Sequence, residues 1–260
     1  MTTAPSDVVL EAVGLVKQYG GITATNQVDL QLGRGARHAL IGPNGAGKTT
    51  LIHLLTGMQR PTQGRVLLEG QDITSLSAQL RVKRGLVRTF QINQLFDSMA
   101  PWQTLTLVAT EHLGMGARWW ERLGTHPSAV AHAERLIEQF HLADVRHRAT
   151  RELAYGKRRL LEIAIALACE PRVLLLDEPV AGVPAAEREE LLATISRLPE
   201  EVAILLIEHD MDLVFSFARS MTVLVNGAVL TEGTPEQIQA DPRVREVYLG
   251  HAATSEVGHG

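Results

Sequence analysis

The residues Gly42-Pro43-Asn44-Gly45-Ala46-Gly47-Lys48-Thr49 place three glycines ahead of a lysine and a hydroxyl at fixed spacing. Glycines let a backbone curl until successive N–H groups face one centre, and such a concavity binds phosphate oxygens. The apolar run His38–Ile41 lies before the loop, and a helical pattern over Lys48–Leu55, stopped by Gly57, follows it. The positive end of that helix adds to the same anion site. Lys48 is expected to bridge the β- and γ-phosphates of a nucleoside triphosphate, Thr49 to ligate Mg²⁺, and Thr50 to reach the α-phosphate. A glycine-rich turn can also merely join a strand to a helix. Lys-Thr at this spacing, between those two elements, points instead to a P-loop.

Hydrolysis needs a metal-holding acid and a group that aims water. Val173-Leu174-Leu175-Leu176 is an aliphatic run that ends in Asp177-Glu178-Pro179. A buried parallel strand there delivers Asp177 at its C-terminal edge, where ligands bind in open α/β sheets. Asp177 is expected to hold Mg²⁺ through water, and Glu178 to orient and partly deprotonate the attacking water. Leu205-Leu206-Ile207-Glu208-His209-Asp210 repeats the pattern on another strand, making His209 a candidate sensor of the γ-phosphate.

The elements that must carry these groups read as α/β. Val202–Ile207 is a second buried strand, and Ala185–Leu198 is a crossover helix with one apolar side. Arg65–Leu68 and Asp72–Ile73 flank Glu69-Gly70-Gln71, and Met221–Val225 and Val229–Glu232 flank Asn226-Gly227, so two hairpins are expected. From about Ile92 to Ala154 the pattern is helical with Gly and Pro punctuation. The expected fold is a P-loop NTPase core with a mainly parallel sheet, an antiparallel β subdomain and an inserted helical subdomain. Residues 1–250 are expected to form a single domain, with the core and antiparallel part from about 1–91 and 156–250 and the helical part from about 92–155. The small polar tail 251–260 is expected to fray.

Composition narrows the function classes. Of 260 residues, 45% are hydrophobic and 21% charged, as in ordinary globular proteins. The formal charge of −4 gives no general attraction to nucleic acid, and no nucleic-acid partner is expected. Cys169 is the only cysteine, so an intrachain disulfide is excluded; its place in the run Ile163–Cys169 suggests core packing and fits a reducing cytosol. Met1–Val9 shows no secretory pattern, and no apolar run reaches the roughly 18 residues of a spanning helix. Service at a membrane would therefore run through a partner.

Further segments complete a resemblance. Arg88-Thr89-Phe90-Gln91, Leu153-Ala154-Tyr155-Gly156-Lys157, Pro179-Val180-Ala181-Gly182-Val183, Ile207-Glu208-His209-Asp210-Met211 and Gly233-Thr234-Pro235-Glu236-Gln237-Ile238 follow in order. With the P-loop and the acid pair, the chain from about Val9 to Gly250 resembles the ABC transporter ATPases. The nearest likeness is to the ATP-binding subunits of branched-chain amino-acid (Liv-type) uptake systems. This implies ATP and Mg²⁺ as cofactors, and hydrolysis that powers uptake through partners. Those implied are a second ABC ATPase subunit (sister chain or self), two transmembrane permease subunits and, indirectly, a solute-binding protein. A cytoplasmic place, peripheral on the inner face of the cell membrane, is implied too.

By the same likeness Gln91 reaches Mg²⁺ and the attacking water. Leu153, Ala154, Tyr155 and Gly156 form the signature that covers the γ-phosphate held by the opposing subunit. Independently of the likeness, Gly156 opens the apolar helix Lys157–Ala168, whose dipole suits an anion. Tyr19 resembles the aromatic that stacks on adenine, with a plain exposed tyrosine as the alternative. Ile92, Leu95 and Phe96 are candidates for the permease contact or for core packing, and Trp119-Trp120 for core or a partner surface. Ala154 stands where many relatives have serine, Lys157 replaces glutamine and adds charge near the phosphate, and Pro184 replaces an Asp or Asn that couples the two ATP sites. Competing readings are uptake of urea or an amide, a nucleic-acid-associated ABC ATPase, and a regulatory module with a silent acid pair.

Overall fold

The computed structural model describes residues 7–89, 97–116 and 123–247. They fall into two compact units, Met1–Arg81 with Glu200–Gly260, and Val82–Pro199.

In the first unit, β1 (Val8–Tyr19) and β2 (Ile22–Gly33) form a long antiparallel hairpin closed by Gly20-Gly21. The other edge of β1 pairs antiparallel with β4 (Gln63–Leu68), which pairs with β5 (Gln71–Asp72). Leu68 lies opposite Gln71, so the connection is the two residues Glu69-Gly70, at φ 49° and 75°, rather than the three expected. Positive φ at both positions matches the strand twist as a type I′ turn does. Asn226-Gly227, at φ 49° and 79°, makes the same kind of turn between β9 (Ser220–Val225) and β10 (Ala228–Gly233).

The wholly buried strand β3 (Arg37–Ile41) runs parallel to both β9 and β8 (Ala203–Ile207). Its aliphatic half, Ala39-Leu40-Ile41, suits a strand covered on both faces, and Arg37 and His38 are buried with it. Helices α7 (Met211–Phe217) and α8 (Pro235–Ala240) bring Val214 and Ile238 into one core cluster with Ile41, Met221 and Val223.

Helix α1 (Lys48–Thr56) ends at Gly57, which is left-handed at φ 76°, as its glycine predicts. Arg81, on α2 (Ala78–Lys83), fastens that end. Only 1% exposed, its guanidinium donates to Leu54 O at 2.7 Å, Leu55 O at 2.5 Å and Thr74 O at 2.8 Å. A cation thereby meets the orphan carbonyls at the negative end of the helix dipole. Burial pushes Arg81 down to about 10, with Asp72 pulling the other way, so it stays charged at neutral pH.

In the second unit, β6 (Leu86–Arg88) runs parallel to β7 (Val173–Asp177). The helices are α3 (Pro101–His112), α4 (Pro127–Gln139), α5 (Tyr155–Leu167) and α6 (Ala185–Ser196). The described residues of 97–154 hold α3, α4 and two 3-10 turns, and no strand. Cys169 is half-buried beyond α5 rather than in the core, its thiol against Ile165 O, and burial raises its pKa. No described helix is long and apolar enough to cross a membrane.

His38 fastens β3 to β9 through Nδ1, 2.7 Å from Ser220 Oγ, and Nε2, 2.8 Å from Thr222 Oγ1. Desolvation lowers its pKa from 6.5 to about 4. The unfolded chain therefore binds more protons between those values, and stability is lost as pH falls through that window. Wild type should lose on the order of 3 kcal/mol more than His38→Gln between pH 7 and 4, measured by denaturant unfolding at each pH. Parallel profiles for the two proteins would contradict this.

Candidate nucleotide site

In the first unit, Leu40 on β3 lies opposite Ile207 on β8. Gly42 and His209, each two residues beyond that pair, leave at the same edge of the sheet. The glycine turn is held on both sides. A Cβ on Gly42 (φ 154°) would sit 2.2 Å from Leu224 O, and one on Gly47 (φ 101°) 2.4 Å from Ala24 O. Gly45 (φ 80°) faces open space, and Gly227 N donates to Ala46 O at 2.9 Å. Gly47 caps α1 without a side-chain acceptor, and the first turn of α1 has no acid. Those N–H groups are therefore not taken by any side-chain cap and suit an anion. Lys48 folds over the loop, donating to Gly42 O at 2.6 Å and Pro43 O at 3.0 Å. Asn44 and Thr49 are exposed; Pro43 and Thr50 are half-buried.

His209 carries a 71% exposed side chain above Glu208, whose buried carboxylate accepts from His209 N at 3.1 Å. Tyr19 is exposed at the β1–β2 tip, its hydroxyl bonded to Gln59 Oε1 and the Lys17 ammonium 5.2 Å from its ring centre.

In the second unit, β7 delivers Asp177 to its C-terminal end, where Oδ2 accepts from Arg88 Nη2 at 2.5 Å. Glu178 sits at φ 47°, and Ala181 N closes a turn onto its carbonyl at 3.1 Å. A left-handed non-glycine residue costs about 1 kcal/mol or more, and such strain gathers at working sites.

The signature stretch opens α5. Gly156 N donates to Glu187 Oε2 at 2.6 Å, and the exposed Tyr155 donates its hydroxyl to Ala181 O at 3.1 Å. Ala154 is the N-cap and offers no side-chain acceptor. Leu153, expected to touch nucleotide, has its side chain in the core at 5% exposure, while its N–H donates to Thr150 O at 3.2 Å and its carbonyl accepts from Arg158 Nε at 3.1 Å. The charge expected from Lys157 near a phosphate is instead directed to His141 O at 2.6 Å, Glu190 at 3.3 Å and Asp144 at 3.8 Å. Gln91, Ile92, Leu95, Phe96 and Trp119-Trp120 lie outside the described residues.

Residues 25–181 match the ABC transporter family, and residues 228–254 match the branched-chain amino acid ATP-binding cassette transporter family. The chain belongs to the ABC transporter family. This cassette is 40% identical, over 94% of its length and 98% of the relative's, to the high-affinity branched-chain amino acid transport ATP-binding protein BraF of Pseudomonas aeruginosa. It is 39% identical, over 95% and 100%, to the corresponding protein LivG of Escherichia coli. The crystal structure of the ADP conformation of MJ1267, an ATP-binding cassette of an ABC transporter, matches it with a TM-score of 0.83 at 30% identity, over 94% of the cassette and 99% of that chain. The cassette is an ATP-binding ATPase with the P-loop NTPase fold, as the glycine turn and acid pair predict.

Two features escape sequence reasoning. Arg88 belongs to a quoted motif, but its partner Asp177 is 89 residues away; Glu187 lies 31 residues from Gly156. The only local signals are a basic residue closing the short strand Leu86-Val87 and an acid in the first turn of α6. Among the described residues no group of three or more His, Cys, Asp or Glu could hold an ion. Magnesium tolerates this, because it takes one or two protein ligands and fills its shell with water and substrate phosphate. Gly47→Ala should lower stability by about 2 kcal/mol and weaken ATP binding roughly tenfold, because its Cβ collides with backbone. Urea unfolding and nucleotide titration check both; an unchanged variant would mean the turn relaxes around a side chain.

Proposed function

We propose that the cassette is the ATP-hydrolysing subunit of an importer for branched-chain or related amino acids. The observation that carries this is full-length likeness to BraF and LivG, which are named for that transport, joined to the match at residues 228–254. In this reading the P-loop amides and Lys48 hold the β- and γ-phosphates, and Thr50 meets the α-phosphate. Thr49, Asp177 and Gln91 would hold Mg²⁺, which supplies charge neutralisation on the phosphates when bound. Glu178 aims the attacking water and takes up its proton, and His209 reads the γ-phosphate. Tyr19 stacks on adenine. The signature stretch Leu153, Ala154, Tyr155 and Gly156 serves an ATP bound by a second cassette, sister or identical. Catalysis is then mostly positioning and electrostatics. Two permease subunits would take up the resulting motion and hold the cassette at the inner face of the membrane, with a solute-binding protein delivering the amino acid.

Glu178→Gln should bind ATP within about twofold of wild type while hydrolysis falls by roughly three orders of magnitude, because an amide takes no proton from water. Phosphate-release kinetics beside equilibrium ATP binding read this, and undiminished turnover removes Glu178 from the role. Lys48→Ala should weaken ATP binding about a hundredfold, since it removes a charge-assisted contact to phosphate; a titration with unaltered affinity contradicts it. Purification from membranes tests the importer assignment, which fails if permeases of another substrate class accompany the cassette.

A further inference from the structure

The Arg88–Asp177 contact has no role in the scheme above. Arg88 closes β6, and its backbone lies opposite Leu175, so its side chain reaches two residues along β7 to place Nη2 2.5 Å from Asp177 Oδ2. The side chains are 14% and 19% exposed, and shielding from water strengthens a charge-assisted bond. The backbone beneath is fixed on both strands. Thr89 N donates to Leu175 O at 2.9 Å, and Asp177 N donates to Thr89 Oγ1 at 3.4 Å. Among the described residues Asp177 Oδ1 has no hydrogen bond to protein. One carboxylate oxygen is thus committed and the other left to a further ligand.

We propose that Arg88 is a positioning residue for the metal acid: it pins Asp177 Oδ2, presents Oδ1 to the ion's water, and cancels the carboxylate charge so that a divalent cation is retained only together with nucleotide. This rests on the reading that Asp177 serves the metal. An acid alone at a strand end attracts any divalent cation. With a guanidinium in direct contact the charge of Asp177 itself is offset, and no described trio of ligands compensates. The triphosphate must then supply the negative charge that keeps the ion. A planar guanidinium also sets the orientation of the carboxylate, which an ammonium does as a point charge only.

The test uses full-length wild type, Asp177→Asn, Arg88→Gln and Arg88→Lys. Electron paramagnetic resonance follows Mn²⁺ binding without nucleotide, and ATP affinity is measured in EDTA and in Mg²⁺. In wild type the metal should tighten ATP binding, and Asp177→Asn should abolish that gain. Arg88→Gln should bind nucleotide-free Mn²⁺ about tenfold more tightly than wild type and lose about threefold or more of the metal-dependent gain, in line with the effect of residues that orient a ligand. Arg88→Lys should keep the weak nucleotide-free Mn²⁺ binding and still show the reduced gain. Wild-type behaviour of Arg88→Gln in both measurements overturns the proposal. Should circular dichroism show Arg88→Gln unfolded, a full metal-dependent gain in Arg88→Lys overturns it instead. An undiminished gain in Asp177→Asn removes Asp177 from the metal, and the inference falls with that reading; loss of the gain there, with both Arg88 variants like wild type, sinks the inference alone.

Discussion

A loop whose backbone amides curl tightly around one anion passes through conformations that suit glycine, and this requirement organises the first unit. Gly42 and Gly47 pass so close to the carbonyls of Leu224 and Ala24 that no Cβ fits. Such a turn is strained unless its ends are held. Behind it β3 is buried throughout and paired on both edges; ahead, α1 is fastened by Arg81 at Leu54 and Leu55. Gly227, itself in a left-handed turn, grips Ala46 from the β9–β10 hairpin. Hairpin, strand and helix therefore serve one loop, and the fully buried guanidinium is best understood as part of its scaffold.

The second unit holds two adjacent carboxylate residues at the end of β7. Asp177 is held by a cation, while Glu178 is turned by a left-handed backbone closed onto Ala181. Under the proposed function both contacts would help set direction before substrate arrives, which is what a reaction catalysed by positioning requires.

Legibility in the sequence followed locality. The glycine turn, α1 with its Gly57 stop, β7, β8 and the Asn226-Gly227 hairpin were readable because neighbours in sequence decide them. The β1–β2 hairpin is not legible in the sequence, because its register shifts repeatedly between Val8 and Gln18 and breaks the alternation that marks a strand. Side-chain roles were harder than elements. Leu153 sits inside a functional motif, yet its apolar side chain packs in the core, and Lys157 finds carboxylates contributed by residues 13 and 33 positions away. Arg88 and Glu187 were invisible for the same reason, since pairings across such separations leave no spacing to read.

Those distant pairings explain how the signature copes with its unusual residues. Ala154 cannot cap α5, but the Glu187 carboxylate satisfies Gly156 N from the first turn of α6. Pro184, the N-cap of α6, has neither the side-chain hydrogen bonds nor the N–H that an Asp or Asn would offer. The tie between the stretch after the acid pair and the signature is carried instead by Tyr155 on Ala181 and by Glu187 on Gly156. Ala181 also closes the turn that sets Glu178. A shift of that turn must therefore move or break the Tyr155 contact, so the turn at Glu178 and the stretch 153–156 are joined within one unit by contacts that use no side-chain hydrogen bond at position 184.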